Sequence, residues 1–99
     1  MSVEYKIALS GQVPSLDKIA ARIAELGLTL TESNDHSIAL SKPGTDPEQL
    51  RRWGGDVQVT VHGTQLDLLI NAVGLSERVT EKILQALADD GIRATAEEV

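Results

Sequence analysis

Apolar and polar positions alternate through Val3, Tyr5, Ile7 and Leu9 against Glu4, Lys6, Ala8 and Ser10, which predicts a strand with one buried face. After a loop from Gly11 to Pro14 the period changes. Leu16, Ile19, Ala20, Ile23 and Leu26 recur at helical spacing, with Ser15 placed to cap the first turn and Gly27 to end the helix. Leu28 and Leu30 return to alternation, and beyond Ser33-Asn34-Asp35 it resumes at Ile38 and Leu40, predicting a hairpin. Both apolar pairs sit on even positions, so one shared face requires an odd loop, and three residues are expected.

Pro43 and Gly44 break that strand. Asp46-Pro47-Glu48-Gln49 reads as an N-cap, a proline at the first helical position and a capping-box Gln, so a short helix is expected from about Pro47 to Trp53, ended by Gly54-Gly55. Val57, Val59 and Val61 mark the next strand, and Leu66, Leu68 and Ile70 the one after it. Here odd positions must meet even ones, so the turn is the pair Gly63-Thr64, which sets Val61 opposite Leu66, Val59 opposite Leu68 and Val57 opposite Ile70. Ser76 is placed to cap a second long helix carrying Val79, Ile83, Leu84 and Leu87 and stopping at Gly91. Ile92, Ala94 and Ala96 predict a short last strand, with a frayed tail at Glu97-Glu98-Val99.

One feature spans both halves. Tyr5, Ile7, Leu9 and Ser15 recur at a constant offset as Leu66, Leu68, Ile70 and Ser76, each set opening a strand, loop, helix, glycine, strand unit. Two βαβ units with right-handed crossovers put both helices on the same side of a sheet. The expected architecture is α+β: a two-layer sandwich over residues 1–99 as a single domain, a ferredoxin-like double βαβ with an inserted hairpin and short helix. Its sheet is expected to be mixed, with helices on one face.

Composition narrows the chemistry. Apolar residues make up 41% of the chain with no Phe, one Tyr and one Trp, so the core is aliphatic. No Cys is present, which removes disulfides and thiolate metal sites and suits a reducing compartment. Met1 to Lys6 lacks the basic and apolar runs of a signal peptide, and no apolar run is long enough to cross a bilayer, so a cytoplasmic chain without membrane contact is expected. Fifteen acidic residues against nine basic ones give a formal charge of −6, which opposes the counterion release that drives nucleic-acid binding. The same charge steers basic partners toward the chain, and it also serves solubility.

If the apolar sets face the helices, the open sheet face carries Glu4, Lys6, Ala8, Ser10, Thr29, Thr31, Ala39, Ser41, Gln58, Thr60, His62, Gln65, Asp67 and Leu69. It is polar and lacks the aromatic platform on which RNA-binding sheets stack bases. Either an ordinary solvated face or a protein-binding one fits it. His62 and Asp67 become diagonal neighbours there, where the carboxylate could orient the imidazole as a base or simply form an exposed cross-strand pair. Asp35 and His36, with Glu32, mark a polar hairpin tip. Arg51 and Arg52 precede the only Trp, Trp53, in a combination common at interface hot spots, although Trp53 also suits the buried side of the short helix. Asp89-Asp90 sets acids against a helix C-terminus and hints at an acidic recognition patch.

No nucleophile elbow, phosphate loop or dinucleotide fingerprint occurs, and no spacing of His36 and His62 gathers metal ligands, so neither an enzyme nor a cofactor is expected. The favoured reading is a non-catalytic protein-binding module, a small acidic inhibitor or immunity-type protein that blocks a basic partner. Its candidate contacts are Asp35, His36, Arg51, Arg52, Trp53, His62 and Asp67. A second reading rests on Ser10-Gly11-Gln12-Val13-Pro14-Ser15 leading into the helix that ends at Leu26-Gly27-Leu28, a stretch that resembles the start of an ACT regulatory domain. That resemblance implies small-molecule sensing at the loop. The chain departs from the pattern at Val13 and Ser15, where an acidic residue and a glycine usually flank the proline.

Overall fold

The alternating segment Val3–Leu9 forms strand β1, and the helically spaced segment Leu16–Ala24 forms helix α1. They are followed by β2 (Thr29–Ser33), β3 (Ser37–Ser41), β4 (Val57–His62), β5 (Gln65–Ile70), α2 (Ser76–Asp89) and β6 (Ala94–Glu98). The computed structural model describes residues 3–11, 15–44, 46, 48, 55–71 and 74–99. The expected helix from Pro47 to Trp53 lies outside these, although Asp46 Oδ1 accepts the Glu48 backbone N–H at 3.0 Å, the bond an N-cap makes.

Six strands form one sheet in the order β2-β3-β4-β5-β1-β6. The sheet is antiparallel at every described pairing, which corrects the expected mixed sheet. Each helix does connect strands that point the same way. Yet β3, β4 and β5 lie between β1 and β2, and β1 lies between β5 and β6, so no parallel couple becomes adjacent.

α1 and α2 pack on each other and share one aliphatic cluster with the sheet, in which Ile19 and Ile23 of α1, Val79, Ile83 and Leu87 of α2, and Ile7 and Leu66 beneath them are fully buried. The apolar alternation is what builds this layer, since residues two apart project to the same side. Among the described residues no buried side-chain polar atom is left without a hydrogen bond, and no helix is long and apolar enough to cross a membrane.

The β4–β5 hairpin has the expected register: Val61 faces Leu66, Val59 faces Leu68 and Val57 faces Ile70. Gly63 takes φ +59°, the left-handed value that a two-residue primed turn requires. In the first hairpin three residues, Asn34 to His36, separate β2 from β3, and Leu30 meets Leu40. Asn34 Oδ1 shapes that turn by accepting the backbone N–H groups of His36 and Ser37, both at 2.9 Å.

Several local expectations need correction. A bulge between Leu30 and Glu32 shifts the pairing nearer the turn, and β2 is an edge strand exposed along its whole length, so Leu30 is 44% exposed instead of buried beside Leu40. Ser76 is the first helical residue and not the cap. Leu75 holds the cap position, and the Ser76 carbonyl accepts the Thr80 hydroxyl at 2.8 Å. Ser15 does occupy its cap position, but without a side-chain bond. The tail is not frayed: β6 runs to Glu98 along β1, and the Val99 N–H donates to the Glu4 carbonyl at 2.9 Å.

Ala39 and Ser41, expected on the open face, are buried at 4% and 0% exposure. Gly55 and Asp56 lie over Ser41. The Asp56 N–H donates to the Leu40 carbonyl at 3.0 Å and to Ser41 Oγ at 3.3 Å, and Asp56 Oδ2 accepts the Lys42 N–H at 2.8 Å. The Asn71 N–H donates to the Asp56 carbonyl at 2.7 Å, and its Nδ2 to the Gly55 carbonyl at 3.0 Å. This polar latch ties the ends of β3 and β5 to the start of β4.

Candidate functional site

The register of β3, β4, β5, β1 and β6 lays the open-face side chains out in transverse rows. The central row reads Ser37, Thr60, Asp67, Lys6, Glu97. Toward one end of the sheet lie Ala39, Gln58, Leu69 and Glu4, with Val99 beside Glu4; toward the other lie His62, Gln65, Ala8 and Thr95. Lys6 and Asp67, which stand at the same offset as Tyr5 and Leu66, are direct partners across β1 and β5. The sequence echo therefore turns about the middle of this face.

The face is concave there. A hollow of about 320 Å³ is lined by Glu4, Lys6, Gln58, Thr60, His62, Asp67, Leu69 and Val99, among others. Thr60, Asp67 and Leu69 are half-buried at its floor, while Glu4, Lys6 and His62 are exposed around it. The expectation of a polar open face with Lys6, Thr60 and Asp67 outside the core is met.

His62 and Asp67 are diagonal neighbours, as the register requires, with His62 Nε2 at 3.0 Å from Asp67 Oδ2. Gln65 Nε2 donates to the other oxygen, Oδ1, at 2.7 Å. Two neighbours thus fix the Asp67 carboxylate, which holds one negative charge at a set position on the floor. Among the described residues of these rows, the carboxylates Glu4, Asp67 and Glu97 outnumber the ammonium of Lys6.

Asp35 and His36 form the exposed tip of the β2–β3 turn, where the His36 carbonyl accepts the Val61 N–H at 2.7 Å, and Asp35 lies toward Ser15 and Asp17 at the start of α1. Neither lines the hollow. Arg51, Arg52 and Trp53 lie outside the described residues. Glu4, Gln58, Thr60 and Leu69 were placed on the right face by alternation but not singled out as site residues. Only the convergence of three strands makes them neighbours, and no local motif announces it.

The acidic patch expected at Asp89-Asp90 is corrected. Lys18 Nζ sits 2.7 Å from Asp90 Oδ1, Arg22 bonds Asp89, and Lys82 Nζ lies 3.8 Å from Glu25, so the cations of the helix seam neutralise these acids. The hydrogen bond to Asp89, and then its charge, raise the Arg22 guanidinium above its ordinary pKa, against a smaller opposing effect of desolvation. Acids at a helix C-terminus are tolerated here because a neighbouring helix supplies their counterions.

Among the described residues no group of three or more His, Asp and Glu side chains is disposed to hold a metal ion. Comparison with protein-family models, with curated proteins and with solved structures yields no match to this chain.

Proposed function

We propose that the chain is a non-catalytic protein-binding module, a small acidic inhibitor or immunity-type protein of the cytoplasm that covers a basic surface of its partner with the open face of the sheet. The observation that carries this reading is the charge on the open face, where, among the described residues of its rows, the carboxylates Glu4, Asp67 and Glu97 stand with the ammonium of Lys6. A face that keeps its negative charge attracts and orients a basic partner.

The topology supports the same reading. We take it as a ferredoxin-like double βαβ in which β3 and β4 are the inserted hairpin, since removing them leaves β2, β5, β1 and β6 in the order of two interleaved βαβ units. Covering one sheet face with both helices leaves the middle of the other, around Thr60, Asp67 and Lys6, partly open to solvent, and the insertion widens that face.

The test is affinity capture from the native cell lysate at low and moderate salt, with wild type and with the doubly reversed variant Asp67→Lys/Glu97→Lys. Stoichiometric recovery of a basic protein by wild type, weakened by salt and lost on reversal, is the expected result. Equal recovery by both forms contradicts the reading. Thermal stabilisation by free amino acids without any reversal-sensitive partner favours small-molecule sensing instead.

A further inference from the structure

Among the described residues the sheet ends in two edges, β2 on one side and β6 on the other, and they are not equally protected. An edge strand offers a row of free backbone N–H and C=O groups, and charged side chains, above all ones turned inward, are a usual guard against pairing with another chain. β6 carries that guard. Glu98, opposite Tyr5, projects to the helix side and Glu97, opposite Lys6, to the open side, so a strand added there meets a carboxylate on either face. β2 is exposed along its whole length, and its stretch Thr29-Leu30-Thr31 holds no charge. Leu30 belongs to the helix side, because it pairs with the fully buried Leu40, yet it is 44% exposed, since α1 packs more closely over β3 than over β2. Among the described residues, Leu30 and Val99 are the large apolar side chains left exposed.

We infer that β2 is the contact through which two copies of this chain pair, antiparallel and about a two-fold axis at Leu30. The edge lies apart from the open face, so the inference stands independently of the protein-binding reading. A second copy is the occupant that fits because the stretch complements itself. With Leu30 opposite Leu30 of the second copy, Thr29 falls opposite Thr31, partners share the same side of the sheet, and no charge opposes its like. The bulge selects that register. Beyond it Glu32 turns to the open side with Ala39, so a pairing centred on Thr31 would set Leu30 against a residue of the opposite face. A two-fold axis perpendicular to the sheet joins the two sheets into one and keeps the helices of both copies on the same side. The paired leucines then lie between the two α1 helices, which supplies the cover that Leu30 lacks in the single chain. Pairing over Thr29, Leu30 and Thr31 alone makes a small contact, so a weak dimer with a dissociation constant on the order of 0.1 mM is expected.

The experiment is sedimentation equilibrium of the full chain from ~10 µM to ~1 mM, at low and high salt, with wild type, Leu30→Lys and Thr95→Lys. Wild type is expected to pass from monomer to dimer across this range, and more readily at high salt, which screens the formal charge of −6 on each copy. Leu30→Lys is expected to weaken association by about tenfold or more, with its unfolding temperature in dilute solution unchanged because the side chain is exposed there. Thr95→Lys, on the exposed side of β6, should leave association as it is. A wild type that stays monomeric throughout, association that survives Leu30→Lys, or open-ended assemblies larger than a dimer would overturn the inference. Release of a captured basic partner by Leu30→Lys, with wild type alone monomeric, would give the edge to that partner and overturn it as well. Self-association rises with salt whereas capture of a basic partner falls with it, so the failure of one reading is distinguishable from the failure of the other.

Discussion

Ile7→Ala is expected to lower the free energy of unfolding by ~2–5 kcal/mol, read as a fall in the denaturant midpoint at unchanged slope. Ile7 is fully buried near the middle of β1, opposite Leu66 of β5 and Ala96 of β6. Truncation removes buried methylene groups and leaves a space that its neighbours fill only in part. With no Phe in the chain and the side chains around Ile7 already interlocked, little large and flexible material is available to collapse into the gap. A loss of this size is a large fraction of the ~5–15 kcal/mol by which domains are stable, so the variant should be partly unfolded well below the wild-type midpoint. The consequence reaches the open face as well, because Lys6 and Ala8 on the two sides of Ile7 belong to it. A change under about 1 kcal/mol would mean that β1 does not lie at the centre of the core.

Gly55→Ala is expected to be nearly as costly, at ~2–4 kcal/mol, although it adds only a methyl group. Gly55 has φ +112°, where L residues are strained, and a Cβ there would stand 2.7 Å from Ser41 Oγ and 3.2 Å from the Leu40 carbonyl oxygen. The second contact is backbone and cannot turn aside without disturbing the Asp56 N–H bond to that same oxygen. Relieving the clash therefore opens the latch that joins β3, β4 and β5. Thermal unfolding checks this, and a melting temperature equal to wild type would show that Gly55 and Ser41 are not apposed. The same substitution at Gly44, where nothing lies within 4 Å of an added Cβ, is the milder comparison.

Much of this architecture was legible because side-chain periodicity answers to local geometry. The strand from Val3 to Leu9, both long helices and the pairing of Val57, Val59 and Val61 with Ile70, Leu68 and Leu66 all follow from where apolar residues recur and where glycine permits a turn. The diagonal placement of His62 and Asp67 came with that register. What alternation does not encode is strand order. A repeated strand-helix-strand unit implies parallel relations but not whether other strands slip between the couple, and here three separate β1 from β2 and one separates β5 from β6, making the sheet antiparallel.

The remaining misses share a cause, since they depend on contacts between segments distant in the chain. Ser41 reads as an outward-facing serine until Gly55 and Asp56 fold over it. Asp89 and Asp90 read as free acids until Arg22 and Lys18 of the other helix meet them. Glu97 and Glu98 read as a loose tail until β1 offers an unpaired edge. The hollow is of the same kind, because Glu4, Gln58, Thr60 and Leu69 come from three strands and become neighbours only through the sheet.

The most direct measurement is acetylation footprinting of the chain's own lysines, free and in complex with the captured basic partner. Lys6 reports on the open sheet face and Lys18, on α1, on the helix side. Protection of Lys6 on complex formation, with Lys18 modified as readily as before, is the expected result. Protection of Lys18 with Lys6 left reactive would contradict the assignment of the sheet face as the surface that meets the partner.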